Sequence, residues 1–358
     1  MHERITRLRQ QMASRSFDTL LITNLPNVFY LTGFTGSAGV AVVTSANEYI
    51  LVDPRYTAQA KAECPACKVV EYSARPTSVA IGELLNDLRP DRVGYEADHV
   101  SVAYYRAIRA QVEPSISMRN TRGIVEQLRR VKDAGEIAII QEACKIADNT
   151  FSSLIREIKT GMTEKEAALL VDTTLRRLGA DKEAFDTIAA SGPRAASPHA
   201  SPTDSVLEKG ALLKLDFGAR YCHYNSDITR TICLGEPDEK QREIYNIVLE
   251  AQLRAIDAVV PGKPGHNVDA VAREYIASKG YGENFGHGLG HALGIEVHDG
   301  PALSQTSDVV LEPGMVVTVE PGIYIDGWGG IRIEDDVLVT ESGHTILTHS
   351  TKELLNIS

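Results

Sequence analysis

Residues 284–301 read NFGHGLGHALGIEVHDGP, and this apolar, glycine-rich run carries three of the ten histidines of the chain, His287, His291 and His298. Histidine is the commonest metal ligand and carries protons near neutral pH. Because unpartnered polar groups are costly to bury in apolar surroundings, the run indicates a functional site. Each histidine taken alone could equally be structural, so the assignment depends on carboxylates elsewhere in the chain.

Two simpler interpretations of this run lack residues that they require. The segment GHGLG is glycine-rich like a dinucleotide-binding loop, but no acidic residue follows at the distance that such a loop needs. His287 and His291 are spaced as in the zinc-peptidase motif HExxH, but Gly288 stands where that motif has glutamate. The sequence therefore favours neither nucleotide binding nor a zincin.

The bulk properties of the chain predict a globular protein of two domains. A chain of 358 residues is long for one compact domain. Its net charge of −11 argues against general binding to nucleic acid or to an anionic membrane. The first residues lack the apolar core of a signal peptide, and the longest apolar runs are too short to span a bilayer. We therefore expect a cytoplasmic protein.

The cysteines do not predict a disulfide framework. They are five, an odd number, and the chain is much longer than a small secreted scaffold. Cys64 and Cys67 form a CxxC motif, CPAC, but the second pair that a zinc site needs is missing. The motif is compatible with a redox pair or, more simply, with two reduced cysteines beside a turn.

The N-terminal third of the chain alternates strands and helices. Residues 2–16 place Ile5, Leu8 and Met12 on one stripe, which predicts an amphipathic helix. Short apolar strands and helical patterns then alternate to about residue 120, with a turn-rich link at residues 30–39. This alternation predicts a self-contained α/β unit. We place the domains at residues 1–122 and 123–358.

Helical patterns open the second domain. Residues 124–158 contain one glycine and no proline, which predicts a long helical region. Thr163, with Glu166 three residues later, predicts the N-terminal cap of a further helix. After Gly192 the pattern becomes strand-like, and the acidic residues of interest lie in these strands.

The first pair of acids lies around the strand ALLKLDFG, residues 211–218. Alternation puts Lys214 and Asp216 on one face of this strand. If the chain turns back near Tyr221 and Cys222, a hairpin would place Asp216 and Asp227 across from each other. Alternatively, Asp227 only starts a turn.

The second pair of acids has a clearer turn between its members. Glu320 and Glu334 are equally far from Gly327, and Asp326-Gly327 is a strong hairpin signal. Arg332 shares a strand face with Glu334. Both pairs therefore bring acids into the middle of apolar strands.

Four neighbouring carboxylates require cations, because close like charges raise one another's pKa and lose their charge. Four negative charges match two divalent cations, and one neutral histidine completes a donor set rich in hard oxygen atoms, which suits Mn²⁺. Two such ions about 3.5–4 Å apart would activate water and polarise a carbonyl group. The alternative is a set of surface acids without a common site, which their apolar flanks disfavour.

Five segments together resemble the "pita-bread" metallopeptidases, which include methionine aminopeptidase, Xaa-Pro aminopeptidase and Xaa-Pro dipeptidase (prolidase). The segments are LKLDFG, SDITRT, HGLGHALGIEVHD, VEPGIYI and GGIRIEDDVLV. YLTGFTGS and LVDPRY resemble the creatinase-like domain of the proline-specific branch, which methionine aminopeptidase lacks. The resemblance implies an α+β fold, with a C-terminal pita-bread catalytic domain and a smaller α/β creatinase-like N-terminal domain.

The same resemblance implies roles for individual residues. The metal ligands of the family fall on Asp216, Asp227, His291, Glu320 and Glu334. Its catalytic histidines fall on His199, His287 and His298, and its arginine beside the site falls on Arg332. This ligand set agrees with the two divalent ions of the charge count, for which the donor chemistry favours Mn²⁺, with Co²⁺, Zn²⁺ or Fe²⁺ as alternatives. The resemblance further implies a homodimer.

The expected activity is hydrolysis of the X-Pro bond at the N-terminus of peptides, as in an Xaa-Pro aminopeptidase. An Xaa-Pro dipeptidase acting on dipeptides is the alternative, because the closure of the site around the substrate cannot be read from the sequence. The expected partners are proline-containing peptides, without nucleic acid or membrane. A non-catalytic binding protein on the same fold is a remote alternative, since the implied ligand set is complete.

Overall fold

The computed structural model describes residues 2–357, and the chain divides into two compact units between Arg129 and Arg130. The division falls after Arg129 and not after residue 122, where the sequence places it. The reason is a short helix, Ile124–Arg129, which packs against the N-terminal helix, His2–Ser14. The hydroxyl of Tyr30 also donates a hydrogen bond to the carbonyl of Leu128 at 3.1 Å.

The N-terminal unit is a mixed six-stranded sheet with helices. Its strands are β1 (Thr19–Ile22), β2 (Val40–Thr44), β3 (Glu48–Val52), β4 (Lys68–Glu71), β5 (Arg92–Glu96) and β6 (Ser117–Thr121). Its helices are α1 (His2–Ser14), α2 (Leu25–Thr32), α3 (Thr57–Glu63), α4 (Thr77–Leu88), α5 (Val102–Arg109) and α6 (Ile124–Arg129). The strand order is β4-β3-β2-β1-β5-β6, with β1 antiparallel to β2 and parallel to β5. The predicted α/β unit is therefore confirmed, although the sequence pattern missed α2, α3 and β6.

Within residues 130–357 the second unit has four helices: α7 (Ala134–Glu157), α8 (Glu164–Arg177), α9 (Glu239–Asp257) and α10 (Gly265–Ser278). The predicted helical region over residues 124–158 consists of two helices, because the first ends at Arg129 and the second begins at Ala134 with Asp133 as its N-terminal cap. The Asp133 carboxylate accepts the Glu136 N–H at 2.9 Å, and the Glu136 carboxylate accepts the Asp133 N–H at 2.8 Å. The predicted cap of α8 by Thr163 and Glu166 is confirmed.

The strands of the second unit are mostly short and antiparallel. They are β7 (Lys182–Glu183), β8 (Ile188–Ser191), β9 (Leu212–Phe217), β10 (Ala219–Tyr221), β11 (Tyr224–Asn225), β12 (Ile228–Cys233), β13 (Gly290–His291), β14 (Ala302–Leu303), β15 (Val316–Val319), β16 (Gly322–Ile325), β17 (Gly329–Arg332), β18 (Asp335–Val339) and β19 (His344–Ile346). Among the residues that the structure describes, β9 lies between β8 and β12, β18 lies between β15 and β19, and β16 pairs with β17. Two 3₁₀ turns, Gly192–Ala196 and Gly282–Asn284, interrupt the connecting loops.

Two helix pairs cover the outer faces of these strands. Helices α7 and α8 pack on the apolar face of β9 and β12, where Leu213, Leu215 and Phe217 are buried. Helices α9 and α10 pack on a second apolar cluster that includes Ile331 and Ile333. Since strand side chains alternate between faces, the polar residues of β9 and β17 point to the opposite side. The packing of the helices thus determines on which side the acids gather.

Candidate metal centre and active site

The predicted site residues converge in the second unit. A cavity of about 460 Å³ is lined by eight of the nine: His199, Asp216, Asp227, His291, His298, Glu320, Arg332 and Glu334. The ninth, His287, lines an adjoining cavity of about 270 Å³, which shares five residues with the first. Residues that lie more than a hundred positions apart in the sequence therefore surround one space.

One hairpin register brings Glu320 and Glu334 together. Strand β15 pairs with β18, and β16 pairs with β17, in one common register. Glu320 and Glu334 lie between these two ladders, one on each side of the hairpin. They therefore stand opposite each other, as the turn around Gly327 predicts. Gly327 adopts a positive φ of 71°, which glycine tolerates without a steric penalty.

The predicted register of the first acid pair is wrong by two residues. Asp216 lies opposite Thr229, so Asp227 is diagonal to Asp216 on the same face of the sheet. The hairpin turns at Cys222 and His223, which both have positive φ values, 46° and 71°. The chain therefore reverses one residue later than Tyr221 and Cys222, yet both acids still reach the cavity.

His291 is held beside the acids by the backbone of its own strand. Its N–H donates to the Thr318 hydroxyl at 3.0 Å, and a side chain on Gly290 would collide with the Thr318 carbonyl. The Nε2 atom of His291 lies 3.7 Å from Asp227 Oδ2 and 3.6 Å from Glu320 Oε1. The glycine before His291 is therefore required for the close approach of the two backbones.

Three ligand-type side chains are close enough to share one ion. Single ligand atoms of Asp227, His291 and Glu334 all lie within 4.8 Å of one another. Three carboxylate oxygens, Asp216 Oδ1, Asp227 Oδ1 and Glu334 Oε1, are buried without a hydrogen-bond partner among residues 2–357. Because buried polar atoms are rarely left unpaired, these oxygens indicate a missing cationic partner.

The protonation preferences of the site fit the same interpretation. Burial raises the pKa of Asp227 and of Glu334 well above the usual carboxyl range, and the neighbouring acids act in the same direction. Burial also raises the pKa of Glu320 to about 7. Burial and then the adjacent His298 lower the pKa of His291 to about 4, so its imidazole is neutral. Hard oxygen donors with one neutral imidazole suit divalent cations such as Mn²⁺.

Arg332 connects the two acid-bearing hairpins. Its guanidinium is 2% exposed and donates to Asp216 Oδ2, to the Thr229 hydroxyl at 3.0 Å and to the Tyr324 hydroxyl at 2.8 Å. Thr229 in turn donates to Glu334 Oε2 at 2.6 Å. These bonds fix the direction of both carboxylates, as outer partners of metal ligands commonly do.

The three remaining histidines line the cavities from different segments. The His298 ring lies 4.2 Å from the His291 ring, centroid to centroid, in an edge-to-face arrangement. His287 Nε2 lies 2.9 Å from the Tyr324 hydroxyl, and burial lowers its pKa to about 4. His199 is exposed at the mouth and lines both cavities. Imidazole groups therefore surround the carboxylate cluster.

The sequence pattern missed Asp336 as part of the site. One oxygen of its buried carboxylate accepts the Asp227 N–H at 2.9 Å and the Cys144 thiol at 3.3 Å. A signal was present, because alternation along β18 puts Asp336 on the same face as Glu334. Within the run EDD it is not distinguishable from an ordinary surface acid.

The CPAC motif lies in the N-terminal unit. The Cys67 N–H donates to the Cys64 carbonyl at 2.9 Å, which closes a turn, and all five cysteines are free. This arrangement fits both sequence interpretations, because a redox pair in its reduced form also has two free thiols.

Comparisons with known families agree with the fold and the site. Residues 138–341 match metallopeptidase family M24, and residues 4–131 match the Creatinase/Prolidase N-terminal domain. The fold and the acid–histidine centre thus define a metallopeptidase that uses divalent metal ions. The chain belongs to family M24, in its proline-specific pita-bread branch, as the sequence motifs predict.

Relatives match the chain over both units. The Xaa-Pro dipeptidase of Pyrococcus furiosus is 41% identical over 356 residues, which cover 99% of this chain and 100% of the relative. The structure of an Xaa-Pro dipeptidase from Bacillus anthracis has a TM-score of 0.96 and 42% identity, and covers 99% of each chain. The X-Pro aminopeptidase from Thermotoga maritima has a TM-score of 0.89 and 41% identity, covering 96% of this chain and 98% of its own.

These matches decide between the broader alternatives that the sequence leaves open. The predicted fold class is confirmed, with a creatinase-like N-terminal domain and an M24 catalytic domain. The matches support an enzyme and not the non-catalytic binding protein. Within residues 2–357, the helices are each too short or too polar to cross a bilayer.

Proposed function

We propose that this metallopeptidase is an Xaa-Pro dipeptidase, which hydrolyses the bond before proline in dipeptides. The sequence alone favours an Xaa-Pro aminopeptidase, but the full-length relatives from Pyrococcus furiosus and Bacillus anthracis are named as dipeptidases. The cavity of about 460 Å³ is in the lower half of the range for small-molecule pockets, about 300–1,000 Å³. The aminopeptidase is kept as second candidate because of the Thermotoga maritima structure.

The observation that carries the proposal is the convergence of five ligand-type side chains on one cavity. In this proposal Asp216, Asp227, His291, Glu320 and Glu334 hold two divalent cations, because four carboxylates balance their charge. The oxygen-rich set favours Mn²⁺, with Co²⁺, Zn²⁺ and Fe²⁺ as alternatives. When bound, the metals polarise the peptide carbonyl group and lower the pKa of water.

The protein side chains then move protons and orient the peptide. A carboxylate oxygen of Glu320 accepts the proton of the attacking water and passes it to the proline nitrogen as the peptide bond breaks. His298 donates a hydrogen bond to the carbonyl oxygen, where negative charge develops. His199 and His287 hold the substrate from the two cavities that they line. The preference for proline rests on the relatives; a proline nitrogen carries no hydrogen, so a pocket for it need supply no acceptor there.

Three further properties remain predictions: the homodimer, the identity of the metal and the cytoplasmic location. They rest on the resemblance, on the donor chemistry and on the sequence composition, respectively.

Hydrolysis of three peptides tests the proposal. We expect release of proline from Gly-Pro in the presence of Mn²⁺, loss of the activity after chelation, and little cleavage of Gly-Pro-Gly or of the control Gly-Leu. Cleavage of Gly-Pro-Gly with Gly-Pro left intact would indicate that the protein is an Xaa-Pro aminopeptidase instead. Failure to cleave either proline peptide, with bound metal demonstrated, would remove the peptidase proposal.

A further inference from the structure

The loop that carries His199 forms one wall of the larger cavity. We call residues 192–203 the His199 loop; it begins with the 3₁₀ turn Gly192–Ala196 and continues as irregular chain. Ala200, Ser201 and Pro202 line the cavity together with His199. The loop forms no strand ladder after the turn, so side chains that bind its backbone contribute strongly to its position, together with one backbone bond from the Lys165 N–H to the Thr203 carbonyl at 3.1 Å.

A buried carboxylate holds the two ends of the His199 loop. Glu164, at the first turn of α8, is 0% exposed. Its Oε1 accepts the Ser191 N–H at 2.9 Å, and its Oε2 accepts the Thr203 N–H at 3.0 Å and the Thr203 hydroxyl at 2.7 Å. Arg194, on the loop itself, adds an ion pair at 2.9 Å. One carboxylate thus ties together two points that are twelve residues apart in the chain.

A buried lysine amine holds the middle of the same loop. Lys214 of β9 is also 0% exposed. Its Nζ donates to the carbonyl of Ser197 at 2.7 Å and to the carbonyls of Ala195 and Pro198 at 3.2 Å each. The third of these residues immediately precedes His199. All three acceptors belong to the loop, so the polar contacts of this amine serve to hold the loop.

Glu164 and Lys214 can stay buried only while the loop keeps this conformation. A desolvated charge is tolerated only when hydrogen bonds replace its water shell. For Glu164 and Lys214 those bonds come from the loop and from Ser191 just before it, so another loop conformation would leave a buried polar group without partners. The loop is therefore held in one arrangement by groups that do not themselves line either cavity.

We propose that Glu164 and Lys214 are positioning residues that act through His199. They hold the loop so that His199 meets the bound peptide, and so set substrate affinity and not the chemical step. The inference rests on the proposed function, in which His199 holds the substrate. The geometry of the loop itself does not depend on that assignment.

The test is a double-mutant cycle on Gly-Pro hydrolysis. We expect Lys214→Met and Glu164→Gln each to raise KM about tenfold while kcat changes less than about threefold. In the His199→Ala background the same two substitutions should change KM less than about twofold. The reason is that the effects of two substitutions do not add when one residue acts through the other. Effects on KM that stay the same in that background would overturn the proposal. Lys165→Met is the matched control, because Lys165 is exposed and pairs with Asp204.

Hydrogen exchange provides a readout that does not depend on turnover. Backbone amides of residues 192–203 should exchange about tenfold faster in Lys214→Met and Glu164→Gln, whereas amides of β9 and β12 keep their protection. Unchanged exchange in the loop would refute the anchoring. If the parent protein cleaves no proline peptide, the proposed function fails and exchange alone decides the anchoring. Metal content is measured for each variant, so that loss of metal is recognised separately.

Discussion

The carboxylate of Asp336 accepts the backbone N–H of Asp227 at 2.9 Å, while its other oxygen has no hydrogen-bond partner in the described part of the chain. The bond fixes the Asp227 backbone without using the oxygens of the Asp227 side chain. Those oxygens therefore stay available for a cation. Asp336 belongs to the support of the centre although it lies two residues beyond Glu334.

Replacing Asp336 tests this support. Asp336→Leu removes the acceptor and should weaken metal binding about 10–100-fold, the usual cost of losing a partner behind the ligands. Asp336→Asn keeps an oxygen that can accept the Asp227 N–H, so it should retain most of the affinity. Calorimetric titration of Mn²⁺ into the metal-free proteins measures both. Equal losses in the two variants would indicate that the charge, and not the hydrogen bond, matters.

Removing the charge of Asp227 should affect activity and stability in opposite directions. Asp227→Asn should lower kcat/KM for Gly-Pro at least about 100-fold, because a proposed metal ligand is lost. The metal-free variant should nevertheless melt at a higher temperature than the metal-free parent, since a repelled, buried carboxylate is gone. Peptide assays and thermal melting in a chelator provide the two measurements. Full activity in this variant would refute the two-metal centre.

The metal-free protein should lose stability as the pH rises through neutrality. Burial raises the pKa of Glu320 to about 7 from an ordinary value of 4.5. The folded state therefore holds this proton more tightly than the unfolded state, and the resulting stabilisation is present below pH 4.5 and lost as the pH rises through about 7. Melting temperatures of the chelated parent should fall relative to those of Glu320→Gln between pH 5 and 7, the interval in which only the folded state holds the proton. All other titrating groups are common to both proteins, so a constant difference over this range would contradict the prediction.

His298 should affect turnover more than binding. If it stabilises charge on the carbonyl oxygen, His298→Ala should lower kcat about 100-fold and leave KM nearly unchanged. His349→Ala is a suitable control, because His349 is exposed and does not line either cavity. A rise in KM at constant kcat would assign His298 to substrate binding instead.

The sequence predicts those parts of the site that depend on local chemistry. Asp326-Gly327 is a hairpin turn by composition, and counting outward from it places Glu320 opposite Glu334. The cap formed by Thr163 and Glu166 is equally local and equally correct. In both cases the residues that determine the geometry lie close together in the chain, so the sequence pattern alone predicts that geometry.

The sequence does not predict features that depend on residues distant in the chain or on unusual turn residues. Cys222 and His223 turn with positive φ values although neither is glycine, so the hairpin tip was placed one residue too early. Glu164, Lys214 and Asp336 look like ordinary charges, because their partners lie between 16 and 192 residues away. Their roles become visible only when the packing is known.

The hairpin tip between β16 and β17 offers a place for engineering. The tip faces open space, but Gly327 has a positive φ that other residues adopt only with strain, so a graft is inserted beside Gly327, where it leaves the ladders on either side in register. One residue inserted within β17 would instead rotate Glu334 to the other face of the strand and destroy the centre. A fluorescent reporter grafted at the tip would therefore sit at the end of the ribbon that bears both glutamates, and could signal metal uptake without altering the ligands.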